Sequence, residues 1–285
     1  MMVKTRAGNN MSLNGHVLPL GERTCIMGII NVTPDSFSDG GSFLDPERAL
    51  EKAKRMRDEG ADIIDVGGES SRPGSERISA GEEIRRVMPV IEAITANIDL
   101  PVSIDTCKSQ VAGKALEAGA SVVNDITALR GDGKMARLVA DHGAGVVLMH
   151  MRGAPDNMQE GPFYYDVLEE IGSFLEGSID LAEDAGVDPD KIIIDPGIGF
   201  GKTVEHNLAI LRGLRSFKDL GRPVMVGTSR KSFLGTITGK DVDGRLFGTA
   251  ASCALAIFNG ADIIRVHDVE QMRDVARVAD ALREQ

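Results

Sequence analysis

The chain has 285 residues, a formal net charge of −11 and a sequence pI near 5.0. That balance argues against a surface for nucleic acid or anionic membrane, and no stretch approaches the roughly 18 unbroken apolar residues of a membrane helix. Cys25, Cys107 and Cys253 are scattered and odd in number, which suggests neither a disulfide framework nor a zinc site. With no apolar leader and cleavage site at the N-terminus, an ordinary soluble protein of the cytoplasm is the expectation.

Residues 1–10 read as a polar tail, and LNGHV at 13–17 as a β-hairpin turned by Asn-Gly that could plug one end of a barrel. The first barrel strand is predicted over residues 25–31. It runs into a long loop, NVTPDSFSDGG at 31–41, and a helix opens at Asp45-Pro46-Glu47, an N-cap followed by proline. Strand two is expected over residues 61–67, before a second long loop, GESSRPGSERI at 68–78, and a capping box at 79–82. Two long loops at one end of a sheet suggest lids.

Strands three to five are expected at 101–106, 121–125 and 146–150, and a long helix runs from a second capping box at 166–169 towards Gly186. Strand six, 191–195, ends in Asp195 and breaks into Pro196 and glycines. Strand seven is expected at 223–228 and strand eight at 261–266. Gly-Ala followed by β-branched pairs recurs at 60–64, 119–123, 143–147 and 260–264, each glycine closing a helix and each run starting a strand. An open doubly wound sheet is the alternative, but eight strand–helix units without a topological break favour an α/β fold closed as a (β/α)8 TIM barrel. The expected division is a tail and hairpin over residues 1–20 and a barrel domain over residues 21–285. The helix near residues 248–258 is apolar on nearly all sides, which suggests a second buried face and a homodimer.

Asp105, Asn124 and Asp195 end different strands, and at the carboxyl end of a barrel such groups converge on one ligand. Each also has a structural reading, Asp105 as the N-cap of the next helix and Asp195 as a turn former. Together they suit a flat heterocycle with several N–H donors, such as a 2-amino-4-oxo pyrimidine edge. Arg72, Lys231, Arg265 and His267 place positive charge at the same end; they read as solvated charge or as a phosphate or diphosphate cradle. Residues 197–203 look like a phosphate-binding P-loop, but Pro196 stands where that pattern needs glycine and cannot donate an N–H. Met149 and His150 read as core and strand-end residues, and Cys107 as inert.

Six segments in order, NVTPDSFSDGG (31–41), GGESSRPG (67–74), VSIDT (102–106), DPGIGFGK (195–202), GTSRKS (227–232) and IRVHD (264–268), closely resemble the dihydropteroate synthase family of pterin-binding barrels. The likeness spans roughly residues 25–268. It implies condensation of 6-hydroxymethyl-7,8-dihydropterin diphosphate with 4-aminobenzoate in folate biosynthesis, in a protein that is a homodimer and a sulfonamide target. By that resemblance Asp195 holds the amino and ring N–H edge of the pterin, with Asn124 and Asp105 on neighbouring ring nitrogens and Lys231 on the carbonyl side. Asn31 ligates a magnesium ion (Mg2+), and Arg72, Arg265 and His267 hold the diphosphate. Ser71, Pro73, Phe200 and Ser232 border the aminobenzoate, and Val266 lies among the substrate-binding residues. Asp105, Lys231 and Arg265 carry the catalytic roles.

Two positions depart from the family pattern: Ser71 stands where threonine is common, and Cys107 where serine or threonine is usual. Ser71 keeps the hydroxyl and loses a methyl, which bears on aminobenzoate and sulfonamide affinity and not on the reaction class. Three alternatives share these residues: a methyltransferase that passes a methyl group from methyltetrahydrofolate to a corrinoid protein, a pterin-binding paralogue without turnover, and an aldolase using Lys231 as a Schiff-base nucleophile.

Overall fold

The computed structural model describes residues 10–33, 45–70, 75, 77–153, 158 and 161–283. The chain opens with a hairpin, β1 (Met11–Leu13) and β2 (His16–Leu18), paired antiparallel across the turn at Asn14 and Gly15. Both turn residues have positive φ, 49° and 91°, as a two-residue Asn-Gly hairpin turn requires.

The next strands are β3 (Cys25–Asn31), β4 (Ile63–Gly67), β5 (Val102–Asp105), β6 (Val122–Asp125), β7 (Gly145–Met149), β8 (Ile192–Asp195), β9 (Met225–Val226) and β10 (Ile263–Val266). They pair in parallel in the order β8-β7-β6-β5-β4-β3-β10-β9. A bridge between Ile194 and Val224, with the Ile194 amide donating to the Pro223 carbonyl at 3.0 Å, brings β8 against the start of β9 and closes the barrel. Each strand leads into outer helices: α1 (Pro46–Asp58), α2 (Ala80–Asn97), α3 (Ser109–Glu117), α4 (Met135–Asp141), α5 (Val167–Asp184), α6 (Val204–Gly213), α7 (Ser232–Thr238) with α8 (Leu246–Phe258), and α9 (Val269–Arg283). β9 is shorter than its apolar run, because the Val224 amide goes to the Asp262 carboxylate and the Thr228 carbonyl turns back to Lys231.

The repeated Gly-Ala-Asp-Ile-Ile has a mechanical explanation. Gly60 and Gly260 take φ of 97° and 111° and close α1 and α8, a backbone conformation that glycine adopts without steric cost. The aspartate two residues later then caps the neighbouring strand: Asp62 accepts from the Ile26 amide and Asp262 from the Val224 amide, both at 2.8 Å. At the two expected capping boxes only half the motif forms. Ser79 accepts from the Glu82 amide, but the Glu82 carboxylate turns to Arg86; Asp166 accepts from the Leu168 and Glu169 amides. A reciprocal box joins Thr203 and His206 at the start of α6 instead.

Side chains alternate across each strand with a period of two, and this places the site. Ile26, Ile64, Val123, Ile194 and Ile264 face the helices in the large outer core. Met27, Ile63, Val122, Val147, Ile193, Met225 and Ile263 point inward and pack against Met11, Leu13, Leu18 and Leu20 of the hairpin, which fills the amino-terminal mouth. Two residues further along the same inward rows stand Asp65, Asn124, Met149, Asp195, Gly227 and Arg265. The barrel interior therefore changes from apolar to polar within one pleat.

Candidate active site

The inward polar residues meet at the carboxyl end of the strands, where Asp105, Asn124, Asp195, Phe200, Lys231 and Arg265 line one small cavity. This is the face on which TIM-barrel sites are built. At its centre the Arg265 guanidinium reaches across from β10, with Nε donating to Asp65 Oδ2 and Nη2 to Asp105 Oδ2, each at 2.7 Å. Asn124 Nδ2 donates to the same Asp65 oxygen at 3.3 Å. Asp65 is fully buried, and its other oxygen, Oδ1, has no hydrogen-bond partner among the described residues.

Burial pushes the Asp105 carboxyl up to about 7, with Asp65 adding to the rise and Arg265 opposing it. Burial works against the Arg265 charge too, yet Asp65 and Asp105 outweigh it and hold the guanidinium more firmly protonated than usual. Asp195 is raised by burial and drawn back by the amide of Gly197, which donates to Oδ1 at 2.7 Å, and by the ammonium of Lys231. Lys231, just ahead of α7, is brought down to about 8 by burial and the nearby Arg265. Its Nζ sits 3.9 Å from the centroid of the Phe200 ring, a cation–π contact that fixes both side chains.

His267 follows β10 and accepts at Nδ1 from the Ser229 hydroxyl at 2.9 Å, while Ser229 Oγ accepts from the His267 amide at 3.2 Å. With the Ser229 hydroxyl as the donor, the ring N–H stands on Nε2. Burial and the cations Arg265, Arg230 and Lys52 push His267 down to about 3, so it is a neutral donor and not the positive charge expected from the sequence. Arg265, likewise, has its charge balanced by carboxylates inside the barrel. Val266 is fully buried in the helix-facing core, which leaves only its backbone at the strand end. Ser232 is exposed at the first residue of α7, and Asn31 is half-buried at the end of β3. Ser71, Arg72 and Pro73, with most of the first long loop, lie outside the described residues.

The cysteine reading agrees with the geometry, since burial pushes Cys107 up to about 11 and keeps it a thiol. Two buried groups were not among the expected site residues. Asp65 stands two residues beyond inward Ile63, the same offset that separates Asp195 from Ile193, so alignment of the inward rows points to it. Lys202, the lysine of the broken P-loop pattern, is 3% exposed and turned to protein acceptors at His150 and Phe200.

No group of three His, Cys, Asp or Glu that could hold a metal occurs among the described residues. Asn31 offers one amide oxygen at the barrel end. A magnesium ion, which binds oxygen octahedrally and keeps waters and substrate phosphates among its ligands, is compatible with so sparse a protein contribution.

Residues 27–267 match the family model described as Pterin binding enzyme. The chain is 49% identical over 263 residues to the dihydropteroate synthase of Synechocystis sp., covering 92% of this chain and 91% of that protein. It is also 49% identical to that of Bacillus subtilis over 261 residues, covering 92% and 89%. Among solved structures, the Yersinia pestis dihydropteroate synthase with a sulfonamide drug complex superposes with a TM-score of 0.92 at 40% identity, over 97% of this chain and all of that one. The Xanthomonas albilineans dihydropteroate synthase in complex with 7,8-dihydropteroate gives 0.87 at 41% identity, over 97% and 99%. With its barrel, its inward row of carboxylates and this likeness along nearly its whole length, the chain belongs to the dihydropteroate synthase family of pterin-binding enzymes.

Proposed function

We propose that this protein joins 6-hydroxymethyl-7,8-dihydropterin diphosphate to 4-aminobenzoate, releasing diphosphate and forming 7,8-dihydropteroate for folate biosynthesis. The carrying observation is the convergence of Asp105, Asn124, Asp195, Lys231 and Arg265 on one cavity. With one oxygen fixed by the Gly197 amide, the Asp195 carboxylate presents a defined edge to the amino and ring N–H groups of the pterin. Asn124 gives its NH2 to Asp65 and keeps its carbonyl oxygen as an acceptor for a further ring N–H. Lys231 meets the pterin carbonyl side.

The electron-rich pterin expels diphosphate when the methylene C–O bond breaks with its electron pair on oxygen. Asp105 stabilises the cation left on the pterin, and Arg265, with His267 as a neutral donor and Arg72, holds the leaving diphosphate. The amine of aminobenzoate closes the new C–N bond and loses a proton, without a covalent enzyme intermediate. Phe200, Ser71, Pro73 and Ser232 border the aminobenzoate, where sulfonamides compete. Magnesium, with Asn31 as its protein ligand, supplies charge neutralisation to the diphosphate oxygens when bound.

The reading extends to assembly and location. Phe247, Leu255 and Phe258 of α8 and Val278 and Leu282 of α9 are exposed, Phe247 to 84%. The two helices pack side by side, and burying such a surface fits a two-fold homodimer. Three unpaired cysteines, two of them buried, suit a reducing cytoplasm.

The test is dihydropteroate and diphosphate release from purified protein given dihydropterin diphosphate, 4-aminobenzoate and magnesium, against an Asp195→Ala control. Turnover that needs the organic substrates and is lost in the control supports the reading. Pterin binding without product would overturn it.

A further inference from the structure

Lys202 follows Phe200 in the turn between β8 and α6, and its side chain runs beneath that turn. Its Nζ lies 2.9 Å from His150 Nδ1, 3.0 Å from the Phe200 carbonyl and 3.4 Å from the His150 carbonyl. An ammonium has three N–H groups, and these are three acceptors on two segments, the end of β7 and the turn after β8. The two segments are already pressed together: a Cβ on Gly197 would come within 1.9 Å of the His150 carbonyl oxygen, and one on Gly201 within 2.3 Å of the Arg152 carbonyl oxygen. The turn is also tied through Gly199 to Asn207 and through the Gly201 carbonyl to the Tyr164 hydroxyl.

We propose that Lys202 is a positioning residue of the active site, riveting the turn after β8 to the end of β7 so that Phe200 and Asp195 hold their places. This inference rests on the reading of Phe200 as the aminobenzoate wall and Asp195 as the pterin anchor. Lys202 holds the Phe200 carbonyl and Lys231 contacts its ring, so backbone and side chain of Phe200 are each tied by a lysine. The same ammonium adds positive charge near Asp195.

Electrostatics agree with the geometry. Burial, with Lys231 and Arg152, brings Lys202 down to about 7, and Asp195 opposes that fall. His150 is pushed down to about 2 by burial and by Lys202 and Arg152, so its ring stays neutral and accepts at Nδ1. The charged groups facing Lys202 are thus Asp195, Lys231 and Arg152. A neutral lysine retains two N–H donors for three acceptors, so the full tie needs the ammonium form.

The experiment compares the wild-type protein with Lys202→Met, which keeps the length and removes donors and charge, and Lys202→Gln, which keeps donors without charge. Thermal unfolding of each is followed beside steady-state kinetics in both substrates. The expected result for Lys202→Met is a KM for 4-aminobenzoate and for dihydropterin diphosphate raised about tenfold or more in folded protein. Lys202→Gln should recover much of the aminobenzoate KM and less of the pterin KM. A role confined to folding would lower the melting temperature and leave both KM values in place. Should neither variant fold, His150→Phe removes one acceptor while keeping a ring against Phe174, with a smaller rise of a few-fold in aminobenzoate KM expected. KM values within twofold of wild type in the folded variants overturn the inference. A wild-type protein without turnover overturns the functional reading instead.

Discussion

Asp65→Asn is the substitution that most directly tests how the centre of the barrel works. The change is nearly isosteric at a fully buried position, but it replaces an acceptor of two donors by an amide that can serve only one of them well. Arg265 keeps Asp105 as a partner, so the loss is one charge-assisted hydrogen bond and not an orphaned ion, about 1.5–3 kcal/mol. If that cost falls on the transition state, kcat/KM for dihydropterin diphosphate drops roughly 10- to 100-fold.

A second consequence has the opposite sense. The negative charge of Asp65 helps hold Asp105 near 7, so its removal lets Asp105 ionise at lower pH. In the wild type kcat/KM should rise with pH through about 7 as Asp105 ionises, and fall above about 8 as Lys231 loses its proton. In Asp65→Asn the acid limb should move to lower pH while the alkaline limb stays within a few tenths of its place. The assay is kcat/KM from about pH 6 to about pH 9, with folding verified by thermal unfolding. An unmoved acid limb together with activity within twofold of wild type would refute the reasoning.

Three further substitutions probe other contacts. Gly197→Ala should depress pterin binding by tenfold or more and lower the melting temperature, because φ is 70° and the new methyl would meet the His150 carbonyl oxygen; calorimetric titration with a pterin ligand reads the first effect. Lys108→Met should destabilise by about 3–5 kcal/mol, or roughly 10 °C in melting temperature, because Lys108 bridges Glu69 to Glu83, which is 1% exposed and would be left a buried, unpaired carboxylate. A melting temperature within about 2 °C of wild type would show that the bridge contributes little. Phe247→Asp should convert a dimer to monomers in sedimentation, and an unchanged mass would exclude the face of α8 as the interface.

Much of this architecture was legible from residue order. The eight strands read from β-branched runs closed by polar residues, and β3 occupies the predicted residues because its run is bounded by Arg23-Thr24 and the Asn31 loop. The helix caps at Asp45, Ser79 and Asp166 were legible for the same local reason. The half-made boxes were not, since Glu82 chooses between an N-cap amide and Arg86, a choice made by side-chain packing beyond the three-residue motif.

Asp105, Asn124, Asp195, Lys231 and Arg265 line one cavity because each stands at or just beyond a strand end, a one-dimensional signal. What could not be read is who neutralises whom. The sequence shows Arg265 and His267 as two cations; only the fold places two carboxylates on Arg265 and buries His267 beside cations, which leaves it neutral. Asp65 and Lys202 escaped for a related reason, as their partners are distant in sequence, 200 residues away for Asp65 and 52 for Lys202.

The change from apolar to polar within one pleat has a consequence for evolution and engineering. The residues that would select the pterin grow from the same strands, one step up, as those that pack the hairpin plug. A drift toward hydrophobic residues at 65, 105 or 195 would extend the core upward and remove buried charges, a change that often stabilises a fold. Screens that reward heat resistance alone should therefore accumulate substitutions in this layer and yield sturdier barrels that have lost their substrate. Selection for folate supply is what would keep the upper half of the interior ionic.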